Sequence, residues 1–242
     1  MRLHEEVLQD IRRFITEKAG NCTHWQKEDE KPAPWIKGDK NNIILKADTG
    51  LELGGPGMES LSFLVWTNDL SLISDNKITL MGADLQKVSQ SAVPFGKVVM
   101  IGGQDFNPQN AHERFREMDL QRFDLNLKGY MVRAVSQEMK EWSRVSKEAL
   151  NNGFSFFTLG SSMIDKYKAL DYVTAAEVLF ISSSKDHISE LRPTGEKVKN
   201  YVSAMRKMIE ELSYDCANCD FQNICREIDD LKILKKSLKK LN

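Results

Sequence analysis

Apolar positions fall at helical spacing in some stretches of the chain and in short β-type runs in others. Leu3, Val7, Ile11 and Phe14 recur at helical spacing, so residues 3–18 predict an amphipathic helix that Gly20-Asn21 ends. Residues 26–42 are polar, carry Pro32, Pro34 and Gly38, and read as a loop. Trp25 and Trp35 flank and punctuate that loop and are expected to pack. Runs at 43–46, 61–67, 77–85 and 96–103 read as strands. Gly54-Gly55-Pro56-Gly57, between the first two, marks a sharp turn or a close backbone approach. From 109 to 152 the pattern turns helical, with one helix over 109–123 and another over 129–153, closed by Asn152-Gly153. Residues 153–160 read as a strand, 161–170 as a short helix and 175–182 as a buried strand. Residues 196–212 predict a helix with Val198, Val202, Met205 and Ile209 on one face. The tail, 226–242, reads as a basic amphipathic helix with Ile228, Leu231, Leu234, Leu238 and Leu241 on one side.

Strands interleaved with helices predict an α+β class, a mixed sheet flanked by helices. Three regions are expected: a helix and loop over 1–42, an α/β domain over 43–212, and a cysteine motif with a terminal helix over 213–242. At 41% hydrophobic and 29% charged residues, the chain of 242 can bury a core and stay soluble. Its formal net charge of −1 gives no global basic footprint for nucleic acid or anionic membrane. The charged start lacks the apolar core of a signal peptide, and no stretch is apolar over the length of a membrane span. A cytoplasmic location follows as the expectation. In that reducing compartment four cysteines point to metal or redox chemistry rather than to disulfides.

Three of the four cysteines stand together in YDCANCDFQNIC, as Cys216-x2-Cys219-x5-Cys225. The first pair can chelate one metal atom across a tight turn. The third returns a thiolate at a spacing that suits neighbouring irons of a cubane. Cys22 is the fourth cysteine, and it is expected to complete the set and join the N- and C-terminal helices at one metal centre. Closing so long a loop would stabilise the fold as a cross-link does. A [4Fe–4S] cluster is the first expectation. A zinc site is the alternative, built from four thiolates or with His24 replacing Cys22.

Several segments, in order, resemble the middle domain of the bacterial carbon monoxide dehydrogenase/acetyl-CoA synthase beta subunit. They are TGLELGGPGMESLSFLVWTND (49–69), ISDNKITLMGADL (73–85), EWSRVSKEALNNGFSFFTLGSSMIDKYK (141–168), AAEVLFIS, and the helix at 196–212 that leads to YDCANC. The resemblance covers residues 43–225. In the family a similar helix leads to the nickel–iron–sulfur domain. Here 17 residues follow Cys225, and Cys225 lies closer to the first pair than the family's third cysteine does. The chain alone is therefore not expected to make acetyl-CoA at nickel, and no independent catalysis is expected of it. The resemblance implies an accessory, electron-transfer or partner-docking role in anaerobic one-carbon or acyl-CoA metabolism, beside an enzyme complex.

The family's middle domain is implicated in coenzyme A binding, through a tryptophan and arginines. The corresponding stretch here is KGYMVRAVSQEMKEW, with Tyr130 or Met131 near the tryptophan position. Arg133 and Arg144 are the candidate phosphate partners, through charge-assisted hydrogen bonds. The alternative for each is a solvated arginine on a helix face.

Other groupings carry less. Gly54 to Gly57 and Gly102-Gly103 match no phosphate-loop or dinucleotide fingerprint. Asp105, His112, Glu113 and Glu117 are near in sequence, but His112 has no histidine four residues on. The tail helix can dock a partner or pack on the core. The cysteine spacing also looks similar to RecB-type nucleases, whose magnesium site would have to come from Glu190, Glu196 and Lys197.

Overall fold

The computed structural model describes residues 2–27, 35–38, 42–136, 139–182, 184–210, 221, 223–224 and 228–238. Helix α1 (Arg2–Glu17) leads through a 3-10 turn into β1 (Cys22–Gln26). Then come β2 (Thr49–Leu53), β3 (Ser60–Thr67), β4 (Lys77–Met81), β5 (Ala92–Val93) and β6 (Phe95–Gly103). Helix α2 (Ala111–Gln121) precedes a hairpin of β7 (Tyr130–Val135) and β8 (Glu141–Ser146). Helices α3 (Lys147–Asn151) and α4 (Phe156–Lys168), strand β9 (Val173–Ile181), and helices α5 (Lys185–Glu210) and α6 (Asp229–Leu238) complete the described elements.

The strands form two sheets, so the α+β expectation holds with one sheet more than foreseen. The five-stranded sheet runs β1-β4-β9-β6-β3 and mixes parallel with antiparallel pairs. The four-stranded sheet runs β5-β2-β8-β7. Each face of the larger sheet has its own cover, because successive strand residues point to opposite sides. Leu61, Phe63, Val65, Val98, Leu179 and Ile181 meet Val7, Leu8 and Ile11 of α1 and Ile188, Leu191 and Val198 of α5. Leu64, Trp66, Ile78, Leu80, Val99 and Phe180 meet Phe156, Leu159 and Met163 of α4, with Leu51, Leu53 and Val145 of the second sheet. Each such side chain contributes about 1.5–3 kcal/mol on burial.

Three sequence expectations are corrected. Residues 129–153 are not one helix but the β7–β8 hairpin followed by α3. Gln, Glu, Met and Lys at 137–140 favour helix locally, but the pairing of β7 with β8 lets Tyr130, Ser143 and Val145 pack inward at strand spacing. Residues 156–160 are helical, not a strand, because Ser155 accepts the Thr158 amide at 3.2 Å and caps α4. That helix is buried around most of its turn, so its phenylalanines show no clear period. Residues 43–46 form no strand: Ile43 and Leu45 are exposed and only Ile44 is buried.

The two sheets meet at Glu141, which is fully buried on β8. Lys97 of β6 donates to its Oε1 at 2.6 Å and Ser62 of β3 to its Oε2 at 2.8 Å. Its backbone exchanges bonds with Ser60 Oγ, at 2.7 Å from the amide and 2.8 Å to the carbonyl. Burial pushes the carboxyl up, but the Lys97 ammonium and the hydrogen bonds outweigh that and hold it below the usual carboxylate range.

Candidate functional site

Arg133, Trp142 and Arg144 form one stack on the β7–β8 hairpin. The register pairs Val132 with Ser143 and Ala134 with Trp142, so Arg133 is the extra residue of a bulge. A bulge re-aims its side chain, and here the Arg133 guanidinium lies 4.8 Å from the Trp142 ring centroid. Arg144 follows Trp142 by two residues, on the same face of β8, with its guanidinium 5.2 Å from that ring. The two arginines differ in freedom. Glu52 is the residue opposite Arg144 on β2 and takes its Nε–H at 3.0 Å, while Ile44 O takes Nη1 at 3.2 Å. Arg144 is thereby buried and committed. Arg133 is exposed and makes no ion pair with a described residue.

The glycine run closes the inner end of this stack. Gly54 has φ +66°, and a Cβ there would lie 2.4 Å from the Glu141 carbonyl oxygen. A Cβ on Gly55 would lie 2.9 Å from Glu52 Oε2 and 3.2 Å from Trp142 Nε1. The run is thus a tight turn pressed onto β8. Trp142 Nε1 is buried beneath it with no acceptor. What remains open is one exposed guanidinium beside a half-buried indole, a pairing suited to an aromatic, phosphate-bearing ligand. Tyr130 is not part of the stack: it is buried, with its hydroxyl 3.2 Å from Ser143 Oγ.

Cys216, Cys219 and Cys225 lie outside the described residues. Cys22 begins β1 half-buried, and its Sγ donates to Lys18 O at 3.4 Å. Burial raises its thiol, against the pull of Lys77. His24 sits two residues on, with Nδ1 3.0 Å from Thr79 Oγ1. Among the described residues no group of three or more His, Cys, Asp or Glu could hold a metal ion.

The described neighbours fix where Cys22 stands. Strand β1 is one margin of the five-stranded sheet and β3, under α5, is the other. Strands about 4.8 Å apart put these margins roughly 19 Å from each other. Helix α5 runs antiparallel to α1: Lys18 pairs with Glu190, Asp10 with Lys197, and His4 meets Tyr201 edge to face. Lys207 is about 25 Å further along the helix than Glu190, at 1.5 Å per residue. Its ammonium lies 5.9 Å from the ring of Phe221, the neighbour of the C-terminal cysteines.

The remaining groupings do not assemble. Glu117 accepts the Tyr172 hydroxyl at 2.9 Å, and Asp105 serves through its carbonyl, which takes Asn110 Nδ2 at 2.7 Å. Glu190, Glu196 and Lys197 all lie on α5, not on adjacent strands as a nuclease core requires. Leu231 and Leu234 of the tail helix are buried in the core. Trp25 and Trp35 pack on Phe157 and Phe154, at 5.9 Å and 4.9 Å between ring centroids. Trp142 was the residue sequence reading missed. Its signal was an arginine on either side in a β-type run, hidden by the helical reading of 129–153.

A family model for the CO dehydrogenase/acetyl-CoA synthase complex beta subunit matches residues 34–186. The chain belongs to this family. Arg133, Trp142 and Arg144 fall inside the residues matched to the beta-subunit family, and all four cysteines fall outside them. Among relatives, the acetyl-CoA decarbonylase/synthase complex subunit beta 1 of Methanosarcina mazei is 26% identical over 202 residues, covering 80% of this chain and 41% of its own length. The corresponding beta subunit of Archaeoglobus fulgidus is 27% identical over 208 residues, covering 80% and 37%. The carbon monoxide dehydrogenase/acetyl-CoA synthase subunit alpha of Moorella thermoacetica is 29% identical over 185 residues, covering 73% and 24%. The chain spans about two fifths or less of the length of these relatives.

Proposed function

We propose that this chain is a beta-subunit-type module of anaerobic one-carbon or acetyl-CoA metabolism that docks coenzyme A and serves an enzyme complex as an accessory or electron-transfer partner. The observation that carries the reading is the exposed Arg133 guanidinium over the half-buried Trp142, within the family-matched residues. The indole offers a face for the adenine ring, and Arg133 offers two parallel N–H donors to a phosphate. Arg144, held by Glu52, keeps the indole in place rather than meeting the ligand. Calorimetry with coenzyme A tests this. Saturable binding is expected, weakened about tenfold in Arg133→Ala, which is about 1.4 kcal/mol. Pantetheine, which lacks adenine and phosphates, should bind far more weakly. No binding to the unaltered chain, or equal affinity in Arg133→Ala, contradicts the reading.

The metal centre is a second part of the proposal. Cys216, Cys219 and Cys225 are close in sequence and suit thiolate ligation, with a [4Fe–4S] cluster ahead of zinc. Cys22 lies by Lys18 at the Glu190 end of α5 and Phe221 lies by Lys207 further along that helix, so the three C-terminal thiolates are proposed as the centre's core without it. When bound, a cluster would supply one-electron transfer or a structural staple.

A further inference from the structure

Glu52 carries a carboxylate oxygen that the hairpin stack does not use. Its Oε1 takes the Arg144 Nε–H at 3.0 Å. Its Oε2 accepts from no described residue, and the side chain is 22% exposed, so a ligand can reach it. That oxygen stands at the pyrrole edge of Trp142. A Cβ on Gly55 would lie 2.9 Å from Glu52 Oε2, 3.2 Å from Trp142 Nε1 and 3.5 Å from Trp142 Cδ1. With glycine there, no side chain stands between the oxygen and the ring. On the other side, the residue opposite Glu52 is Ala92 of β5, which has no polar side-chain atom to meet it. Strand β8 has β2 on one flank and β7 on the other. The indole therefore lies between an acceptor on β2, Glu52 Oε2, and a donor on β7, the Arg133 guanidinium 4.8 Å from the ring. Those flanking strands are roughly 10 Å apart, a span that one nucleoside phosphate bridges.

We infer that Glu52 selects the base at this site: its Oε2 accepts from the 6-amino group of a purine lying on Trp142, with the phosphates toward Arg133. The inference rests on the reading of the hairpin as a coenzyme A site and names the group there that distinguishes adenine. Charge fixes the orientation. The reverse placement would set phosphate against the Glu52 carboxylate and leave the amine, a donor, against a guanidinium that only donates. Because Arg144 occupies Oε1, Glu52 offers a single acceptor. One acceptor suits one exocyclic amine better than the paired N–H donors on the edge of guanine. An acceptor built to meet an amine discriminates against a ligand that lacks it, since the contact is lost without replacement.

The test compares coenzyme A with its analogue carrying purine in place of adenine, which lacks the amino group and keeps every phosphate. Calorimetry on the full chain should show coenzyme A binding at least about tenfold tighter. Glu52→Gln should bring the two affinities together. The Gln oxygen is held by Arg144 Nε–H, so its NH2 faces the ligand and cannot accept. A role for Glu52 only in bracing Arg144 would weaken both ligands alike and leave their ratio unchanged. The comparison on the unaltered chain stands by itself if Glu52→Gln lowers the melting temperature. Equal affinity for the two ligands in the unaltered chain, or an undiminished ratio in folded Glu52→Gln, overturns the inference while coenzyme A docking stands. Binding of neither ligand overturns the docking reading and this inference with it.

Discussion

Glu141 concentrates more of the fold's stability than any local feature of its sequence suggests. It joins two sheets through Lys97, Ser62 and Ser60, all within a dry interior. Removing one partner of a buried pair strands the other charge, which costs about 3–5 kcal/mol. Glu141→Gln should lose that much in urea unfolding, and Lys97→Met with Glu141→Gln should recover most of it. Its carboxyl is held low, so this contribution is present above the unfolded value of 4.5 and lost as pH falls through the folded one. His4 adds to the acid sensitivity. It is fully buried against Trp66 and Tyr201, at 4.0 Å and 4.8 Å between rings, with neither ring nitrogen bonded. Burial, aided by the nearby N-terminus, lowers its imidazole to about 3. An unfolded histidine takes its proton near 6.5, so stability falls as pH drops from there toward 3, and His4 contributes no slope above 6.5. Melting temperatures between pH 7 and 4 should fall less steeply in His4→Leu than in the unaltered chain.

Elements with a clean period were legible and those shaped by tertiary contacts were not. The α1 stripe and the apolar runs of β4, β6 and β9 were read from spacing because one face, or both, is buried along their length. The β7–β8 hairpin was not, since its defining partners, Lys97 and Glu52, lie far off in sequence. Helix α5 begins 11 residues before its expected start. In the fold Pro193 lies inside the helix, and Gly195 lets it approach β3: a Cβ there would lie 3.0 Å from the Phe63 ring. The candidate site followed the same rule. Arg133 and Arg144 were named from resemblance, but their different roles depend on a bulge and a cross-strand partner that spacing does not show. The glycine turn was readable, and its cause is now specific. Gly54→Ala should destabilise the chain by more than about 1 kcal/mol, because φ is +66° and the new Cβ would strike the Glu141 carbonyl. A shift of the urea midpoint measures this, and an unchanged midpoint would show that the turn relaxes freely.

At the scale of the whole molecule, the chain binds its two ends to one core. Helix α1 and strand β1 cover and extend the larger sheet, while α6 returns to bury Leu231 and Leu234. No described helix is long and apolar enough to cross a membrane. The family match covers residues 34–186 and leaves all four cysteines outside it in sequence. Iron, sulfide and zinc analysis after anaerobic purification separates the possible centres. Cys219→Ser should lose the metal and Cys22→Ser should keep it, whereas loss in Cys22→Ser would restore the four-thiolate set.

Coenzyme A docking on the hairpin is tested most directly by tryptophan fluorescence. Titrating coenzyme A into the unaltered chain should change the emission saturably, since the ligand's ring would meet the Trp142 indole while Trp66 stays buried. That change should vanish in Trp142→Phe at unchanged melting temperature. An equal change in both proteins, or none in either, would contradict the assignment of Arg133 and Trp142 as the docking site.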